Sequence, residues 1–387
     1  MLTRREFCVR GSLALGTLVL GCREIEHPTF SPTARPTDPP NPTPAPSPTP
    51  GPTSSIDLGR QVAGLLVVGF RGRSLAADDP VMRAIRDGLG GVILFARNVE
   101  SPSQLADLTG KLHEAAQPRR LIVCVDQEGG AVARLTPDKG FTEIPSQAAV
   151  GKRDEDEALA VGRSIGEQLA AAGINLNLAP VVDLNVNPAN PSIGALGRSY
   201  SADQQRVVEL ARASITGQHD HGVLTTLKHF PGLGSATGDT DREFVDITDT
   251  WAALELEPFQ HLIATGEADV VMTANAVNGQ IDRRYPASLS SATLELLRTD
   301  LGWTGPTITD DLGAGAIRDS FSDDEALRRA LHAGNDLLLL ANTGPVRDDI
   351  AAESVASLVG QVEAGRIDPA RIAQSTSRIA GLLAQLR

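Results

Sequence analysis

Cysteine is scarce: the 387-residue chain has three, Cys8, Cys22 and Cys124. Their spacing fits no metal-ligand pattern and no disulfide framework. Cys124, inside the apolar run LIVCVD, reads as a small buried core residue. No lysine- or arginine-rich run appears, and the net charge is −13. A nucleic-acid partner would select a basic patch, so that class is excluded. The acidity reads as a contribution to solubility. No apolar run is long enough to span a bilayer as a folded helix. No G-x-G-x-x-G opens a helix, which removes a dinucleotide fingerprint. His219 and His221 stand alone at the end of a helical stretch and read as surface residues rather than metal ligands. No cofactor is implied.

What is present begins with an address. MLTRREFCVRGSLALGTLVLGC places a basic segment before a short apolar stretch, Leu13 to Leu20. Arg4-Arg5 followed by Glu6-Phe7 resembles a twin-arginine export signal. Val19-Leu20-Gly21-Cys22 resembles a lipobox, with Leu20 bulkier than the usual small residue, and would make Cys22 a lipidated first residue. An ordinary cleaved signal and an uncleaved anchor are the alternatives. Residues 1–22 are therefore read as an export signal and residues 23–55 as a linker. Eleven of the 25 prolines lie between Pro28 and Pro52. With almost no aliphatic residues, that stretch buries too little apolar surface to offset its ordering entropy. It predicts a stiff spacer that holds a domain off a membrane.

From residue 56 to 387 the pattern is regular. Eight apolar runs, at 62–70, 90–97, 121–128, 174–185, 223–230, 268–277, 306–312 and 336–342, alternate with helical stretches. The runs are nearly continuous rather than alternating, as parallel strands covered on both faces require. Among the helical stretches, 155–173 ends on Gly173, and 201–222 opens with Ser201 as its N-cap. Stretches 101–116, 250–266 and 322–334 have the same amphipathic character. Eight such units predict an α/β fold, a (β/α)₈ TIM barrel, with a doubly wound open sheet as the alternative.

Polar residues collect where the runs end: Asp126-Gln127-Glu128, Asp183 with Asn185, Lys228-His229, Asn275, and Asp310-Asp311. In a barrel these ends meet at one face, where the active site sits. Buried Lys, His and Asp persist there only if they satisfy one another around a polar ligand. Asp126, Asp239, Asp241 and Asp310 supply carboxylates, and Arg134, Arg198, Lys228 and His229 supply donors. Glycoside hydrolysis needs two carboxyl-type functions flanking the scissile bond and further groups gripping hydroxyls.

The segments VDQEGGAVARL (125–135), APVVDLN (179–185), NPSIGALGRSYS (190–201), KHFPGLGSATGDTD (228–241), VVMTANAV (270–277), TITDDLGAGAI (307–317) and AGNDLLLL (333–340) follow one another in a familiar order. With them the chain resembles glycoside hydrolase family 3, in its single-barrel β-N-acetylglucosaminidase branch. The resemblance implies that Asp310 is the nucleophile, forming a covalent glycosyl-enzyme with net retention. It implies that Asp126, Arg134 and Arg198 contact the sugar and that Lys228 and His229 bind it at the end of strand five. The branch signature continues after K-H-F-P-G with a polar residue, Gly, four residues, then Asp-Ser/Thr-His, where the His is the general acid/base and the Asp orients it. Here Leu233 and Asp241 depart from that signature while Asp239 keeps its place. Gly232, Gly234 and Gly238 suggest a mobile loop. In an extended segment Asp239 and Asp241 would point the same way and share a proton, with Asp241 standing in for the histidine.

Three readings follow. The first is a retaining glycosidase removing terminal β-linked N-acetylglucosamine from cell-wall or chitin-type saccharides. The second is a family 3 glycosidase of another sugar preference, such as a β-glucosidase. The third is a non-catalytic sugar-binding lipoprotein.

Overall fold

In the computed structural model, residues 55–386 are described. The segment read as an export signal, with Cys22, and the segment read as a linker, up to residue 54, lie outside the described residues. Eight parallel strands form the sheet: β1 Leu66–Gly69, β2 Gly91–Leu94, β3 Ile122–Val125, β4 Leu176–Asn177, β5 Leu224–Phe230, β6 Val270–Thr273, β7 Thr307–Thr309 and β8 Leu338–Leu340. Neighbours run β8-β1-β2-β3-β4-β5-β6-β7, with Leu66 opposite Leu338, Val67 opposite Gly91 and Cys124 opposite Leu176. The ring closes between β7 and β8 through a parallel bridge from Ile308 to Leu337. There the Thr309 amide donates to the Leu337 carbonyl at 3.0 Å, and the Leu339 amide to Thr309 Oγ1 at 3.0 Å. This is the expected (β/α)₈ barrel. Every residue of these eight strands is buried, because side chains fill the interior on one face and helices cover the other.

Each of the eight apolar runs contains one strand, and each strand is shorter than its run. The helices start where capping side chains allow. Ser101 Oγ accepts from the Gln104 amide to open Pro102–Ala116, and Ser322 Oγ accepts from the Glu325 amide to open Asp323–Ala333. Glu155–Ala171 runs to Ala172 and Gly173, the latter at φ +68 in the left-handed region that glycine reaches without strain. The helix expected from Ser201 begins later, as Gln204–His219. Its cap is Asp203, which accepts from the Arg206 amide at 2.8 Å, while Ser201 Oγ accepts from the Asp203 amide. The stretch 250–266 divides into a 3₁₀ turn, Ala253–Leu256, and a helix, Glu257–Ala264. Pro258, which lacks an N–H, fits only the first turn of that helix.

Between Leu227 and Phe230 the β5–β6 pairing slips register. Lys228 and His229 occupy that irregularity, at the end of β5 where the loops of the C-terminal face begin.

Candidate active site

At the C-terminal ends of the strands opens a pocket of about 370 Å³. All eight side chains singled out within the barrel line it: Asp126, Arg134, Arg198, Lys228, His229, Asp239, Asp241 and Asp310. They divide into a saturated ion-pair cluster on one part of the wall and a group of carboxyls on another.

The cluster is built from β3, β5 and the loop after β4. Lys228 Nζ lies 2.8 Å from Asp126 Oδ1 and 2.6 Å from Glu128 Oε1. Arg198 grips Glu128 with two donors, Nε at 2.7 Å and Nη2 at 2.8 Å, and its Nη1 donates to the Ser192 carbonyl at 2.8 Å. Arg134 Nη2 reaches Asp126 Oδ2 at 3.4 Å. Burial alone would raise the Glu128 carboxyl, but Arg198 and Lys228 outweigh it and hold the group well below the usual carboxylate range. Burial likewise opposes the charge of Asp126, which Lys228 and Arg134 hold below its ordinary value. Burial would discharge Lys228, and Asp126 with Glu128 keep it protonated with its pKa raised.

His229 is fixed by Asp183, a fully buried carboxylate at the end of the fourth run. Asp183 Oδ2 sits 2.6 Å from His229 Nδ1, and Asp183 Oδ1 accepts from the amides of His229 at 3.0 Å and Leu233 at 2.8 Å. His229 Nε2 is then turned toward Arg198 Nη2 at 3.4 Å. Neither Glu128 nor Asp183 had been assigned a role from sequence. Their signal was a charged residue at the end of an apolar run, which promises a buried charge and therefore a partner.

Opposite this cluster, Asp310 follows β7. Its amide donates to the Thr273 carbonyl at 2.9 Å, and its Oδ1 accepts from the Asp311 amide at 2.8 Å. The Asp311 carboxyl takes the amides of Gly313 and Ala341 on Oδ1, at 2.9 and 2.8 Å, and so ties the end of β7 to the end of β8. Burial pushes Asp311 up to about 6, against those two amides and with Asp310 adding to the rise.

Asp239 and Asp241 lie on a turn, where an extended segment had been expected. The amides of Arg242 and Glu243 both donate to the Asp239 carbonyl, and the Asp241 amide donates to Asp239 Oδ1 at 3.1 Å. This is the local side-chain-to-backbone bonding that aspartate favours over extended backbone. Asp239 also accepts from Ser192 Oγ at 3.2 Å, and its Oδ2 is ion-paired with Arg242 Nε at 3.2 Å. Asp239 Oδ1 thus accepts from two donors, the Asp241 amide and the Ser192 hydroxyl.

The glycines of this loop serve close packing. A Cβ on Gly234 would stand 1.8 Å from the Leu184 carbonyl oxygen, and Gly232, at φ +113, abuts Glu255 Cβ. The loop is further pinned where the Gly315 and Ala316 amides donate to the Asp241 and Thr240 carbonyls. Asp241 lines the pocket and is exposed to solvent, with protein crowded around its carboxyl on the pocket side. That partial desolvation, with Asp310 and Asp239 nearby, pushes its carboxyl up to about 6.

A (β/α)₈ barrel whose strand ends carry a cation–carboxylate cluster facing further carboxyls has the layout in which barrel enzymes place their active sites. The sequence falls in the same place: residues 60–382 match the glycosyl hydrolase family 3 N terminal domain. The chain belongs to glycoside hydrolase family 3. It is 36% identical over 320 residues to a Beta-hexosaminidase of Nitrosomonas eutropha, covering 80% of this chain and 88% of that protein. It is 34% identical over 332 residues to Beta-hexosaminidase A of Pseudoalteromonas piscicida, covering 78% of this chain. The solved family 3 β-N-acetylglucosaminidase of Paenibacillus superposes with a TM-score of 0.79 at 36% identity over 85% of this chain. The β-N-acetylhexosaminidase of Beutenbergia cavernae superposes at 0.77 with 34% identity, covering 84% of this chain and 98% of its own. The chain spans 54% of the Pseudoalteromonas protein and 62% of the Paenibacillus chain.

Proposed function

We propose that the protein is a retaining β-N-acetylhexosaminidase that removes terminal β-linked N-acetylglucosamine, with Asp310 as nucleophile and Asp241 as general acid/base. The observation that carries this reading is the placement of Asp241, a carboxyl raised to about 6, in the same pocket as Asp310. A general acid must hold its proton near working pH, whereas the nucleophile must be ionised. The Asp126–Lys228–Glu128–Arg198 cluster and His229 present fixed donors and acceptors to sugar hydroxyls.

In the first step an Asp310 carboxylate oxygen attacks the anomeric carbon while Asp241 gives its proton to the glycosidic oxygen. The C–O bond breaks, the alcohol leaves, and the sugar remains as an ester of Asp310. In the second step ionised Asp241 takes a proton from water, whose oxygen attacks the anomeric carbon and displaces Asp310. A second inversion restores the original configuration. Asp239, holding the Asp241 amide, orients the turn.

The hexosaminidase names of the relatives support the sugar assignment. A panel of aryl β-glycosides tests it. N-acetylglucosaminide should be hydrolysed far faster than glucoside, and the reverse order would replace this reading with a β-glucosidase. The lipobox-like Val19-Leu20-Gly21-Cys22 supports an exported, cell-surface or periplasmic enzyme, lipidated on Cys22 and acting on cell-wall or chitin-type saccharides, as in peptidoglycan turnover.

A further inference from the structure

Beyond the bond from the Leu233 amide to Asp183, the loop after β4 grips the loop after β5 at three places. Asn187 Nδ2 donates to the Ala236 carbonyl at 2.8 Å. Asn190 Nδ2 donates to the carbonyls of Leu233 and Gly234 at 2.7 and 3.1 Å. Both of these contacts hold backbone only. The third is different: Ser192 Oγ reaches Asp239 Oδ1 at 3.2 Å, with the Gly238 carbonyl at 3.4 Å as its other acceptor. A hydroxyl has one proton, and the charged acceptor makes the stronger bond.

Asp239 Oδ1 therefore receives two donors, the Ser192 hydroxyl from outside the turn and the Asp241 amide from within it. Its other oxygen meets Arg242, whose side chain is 83% exposed and whose pairing is screened by water. The buried tether is Ser192, itself 6% exposed. Ser192 also belongs to the sugar-binding cluster by its backbone, since its carbonyl accepts from Arg198 Nη1 at 2.8 Å. One residue thus links the Glu128–Arg198 ion pair to the turn that carries the acid/base carboxyl.

We infer that Ser192 is a positioning residue that sets the Asp239–Asp241 turn against the sugar-binding cluster, so that Asp241 is presented to the glycosidic oxygen. This role rests on the acid/base reading of Asp241. Ser192 touches no reacting atom. Removing its hydroxyl loosens Asp239 and so misplaces Asp241, which matters when the leaving group needs protonation and matters little when it does not.

The test is kcat/KM for two N-acetyl-β-glucosaminides, one with an alkyl alcohol and one with a dinitrophenol as leaving group. Ser192→Ala should cost about fivefold on the alkyl substrate, the worth of one hydrogen bond, and under about twofold on the dinitrophenyl substrate. Ser192→Thr, which keeps the hydroxyl, should restore the parental rate on the alkyl substrate. Asp241→Ala should show the same leaving-group bias more strongly, and in that background Ser192→Ala should cost nothing further. Equal losses on the two substrates, or losses that multiply with those of Asp241→Ala, would show that Ser192 only braces the fold and would overturn the inference. An Asp241→Ala enzyme with no leaving-group bias would instead remove Asp241 from the mechanism, and the role of Ser192 with it.

Discussion

Replacing Glu128 with Gln probes the charge balance of the ion-pair cluster proposed to bind the sugar. The Glu128 carboxylate is 1% exposed and lies between Lys228 Nζ at 2.6 Å and two Arg198 nitrogens at 2.7 and 2.8 Å. Glutamine keeps the volume and one acceptor but removes the charge. Asp126 is then left as the nearest carboxylate for two buried cations, and an amide N–H is turned toward one of them. Breaking a buried ion pair from one side costs roughly 3–5 kcal/mol, and the retained acceptor places this variant near the lower end. At about 2 °C per kcal/mol for a domain of this size, the melting temperature should fall by about 6 °C. The pH dependence gives an independent reading. The folded state holds the Glu128 carboxyl below its ordinary value of 4.5. The stability it contributes is fully present above that pH and is lost as the pH falls toward the folded value. Thermal unfolding followed from pH 7 to pH 3 should show parent and variant separated by the full amount above about pH 4.5 and converging below it. KM for an aryl N-acetylglucosaminide should rise, because Lys228 and Arg198 lose their shared anchor. A variant that melts with the parent at every pH, with KM unchanged, would refute the claim that this carboxylate holds the cluster together.

Two further perturbations follow from other parts of the molecule. Glu255, 1% exposed beneath the Gly232–Ser235 segment, is pushed up to about 7 by burial, against the Ser235 hydrogen bond that lowers it. Its proton favours the folded state, so the parent should lose on the order of 3 kcal/mol of stability as pH rises from 4.5 to 7. Glu255→Gln should escape that loss, and denaturant melts that run parallel across this window would contradict it. Cys22→Ser should move the protein from the membrane fraction to the soluble exported fraction, and an unchanged distribution on fractionation would rule out lipidation as the anchor.

The barrel was legible because its strands are covered on both faces and so leave continuous apolar runs. The run 62–70 held β1, trimmed to Leu66–Gly69 because only those residues pair with β2 and β8. The pocket was legible for the same reason: charged residues closing the apolar runs meet at the C-terminal face and line it. What sequence could not supply was the choice of partners across long separations. Glu128 finds Arg198 seventy residues away, and Asp183 finds His229 at forty-six, by three-dimensional proximity that no local pattern encodes. The Asp239–Asp241 segment was misjudged for a local reason. Its glycines suggested freedom and its aspartates an extended alternation, but the glycines make room for Leu184 and Glu255, and Asp239 bonds back to the Asp241 amide. Ser192 carried no signal at all, since its value lies in a contact with Asp239 across two loops.

The central claim is that Asp310 forms the covalent bond to the sugar. A 5-fluoro N-acetylglucosaminyl fluoride carries a good leaving group and slows release of the glycosyl-enzyme, so the ester should accumulate and survive digestion. Peptide mass spectrometry of the labelled protein should place the sugar on the fragment containing Thr309-Asp310-Asp311, with fragmentation assigning it to Asp310, and Asp310→Asn should abolish labelling. A label on Asp311, or on Asp183 beneath His229, would contradict the account.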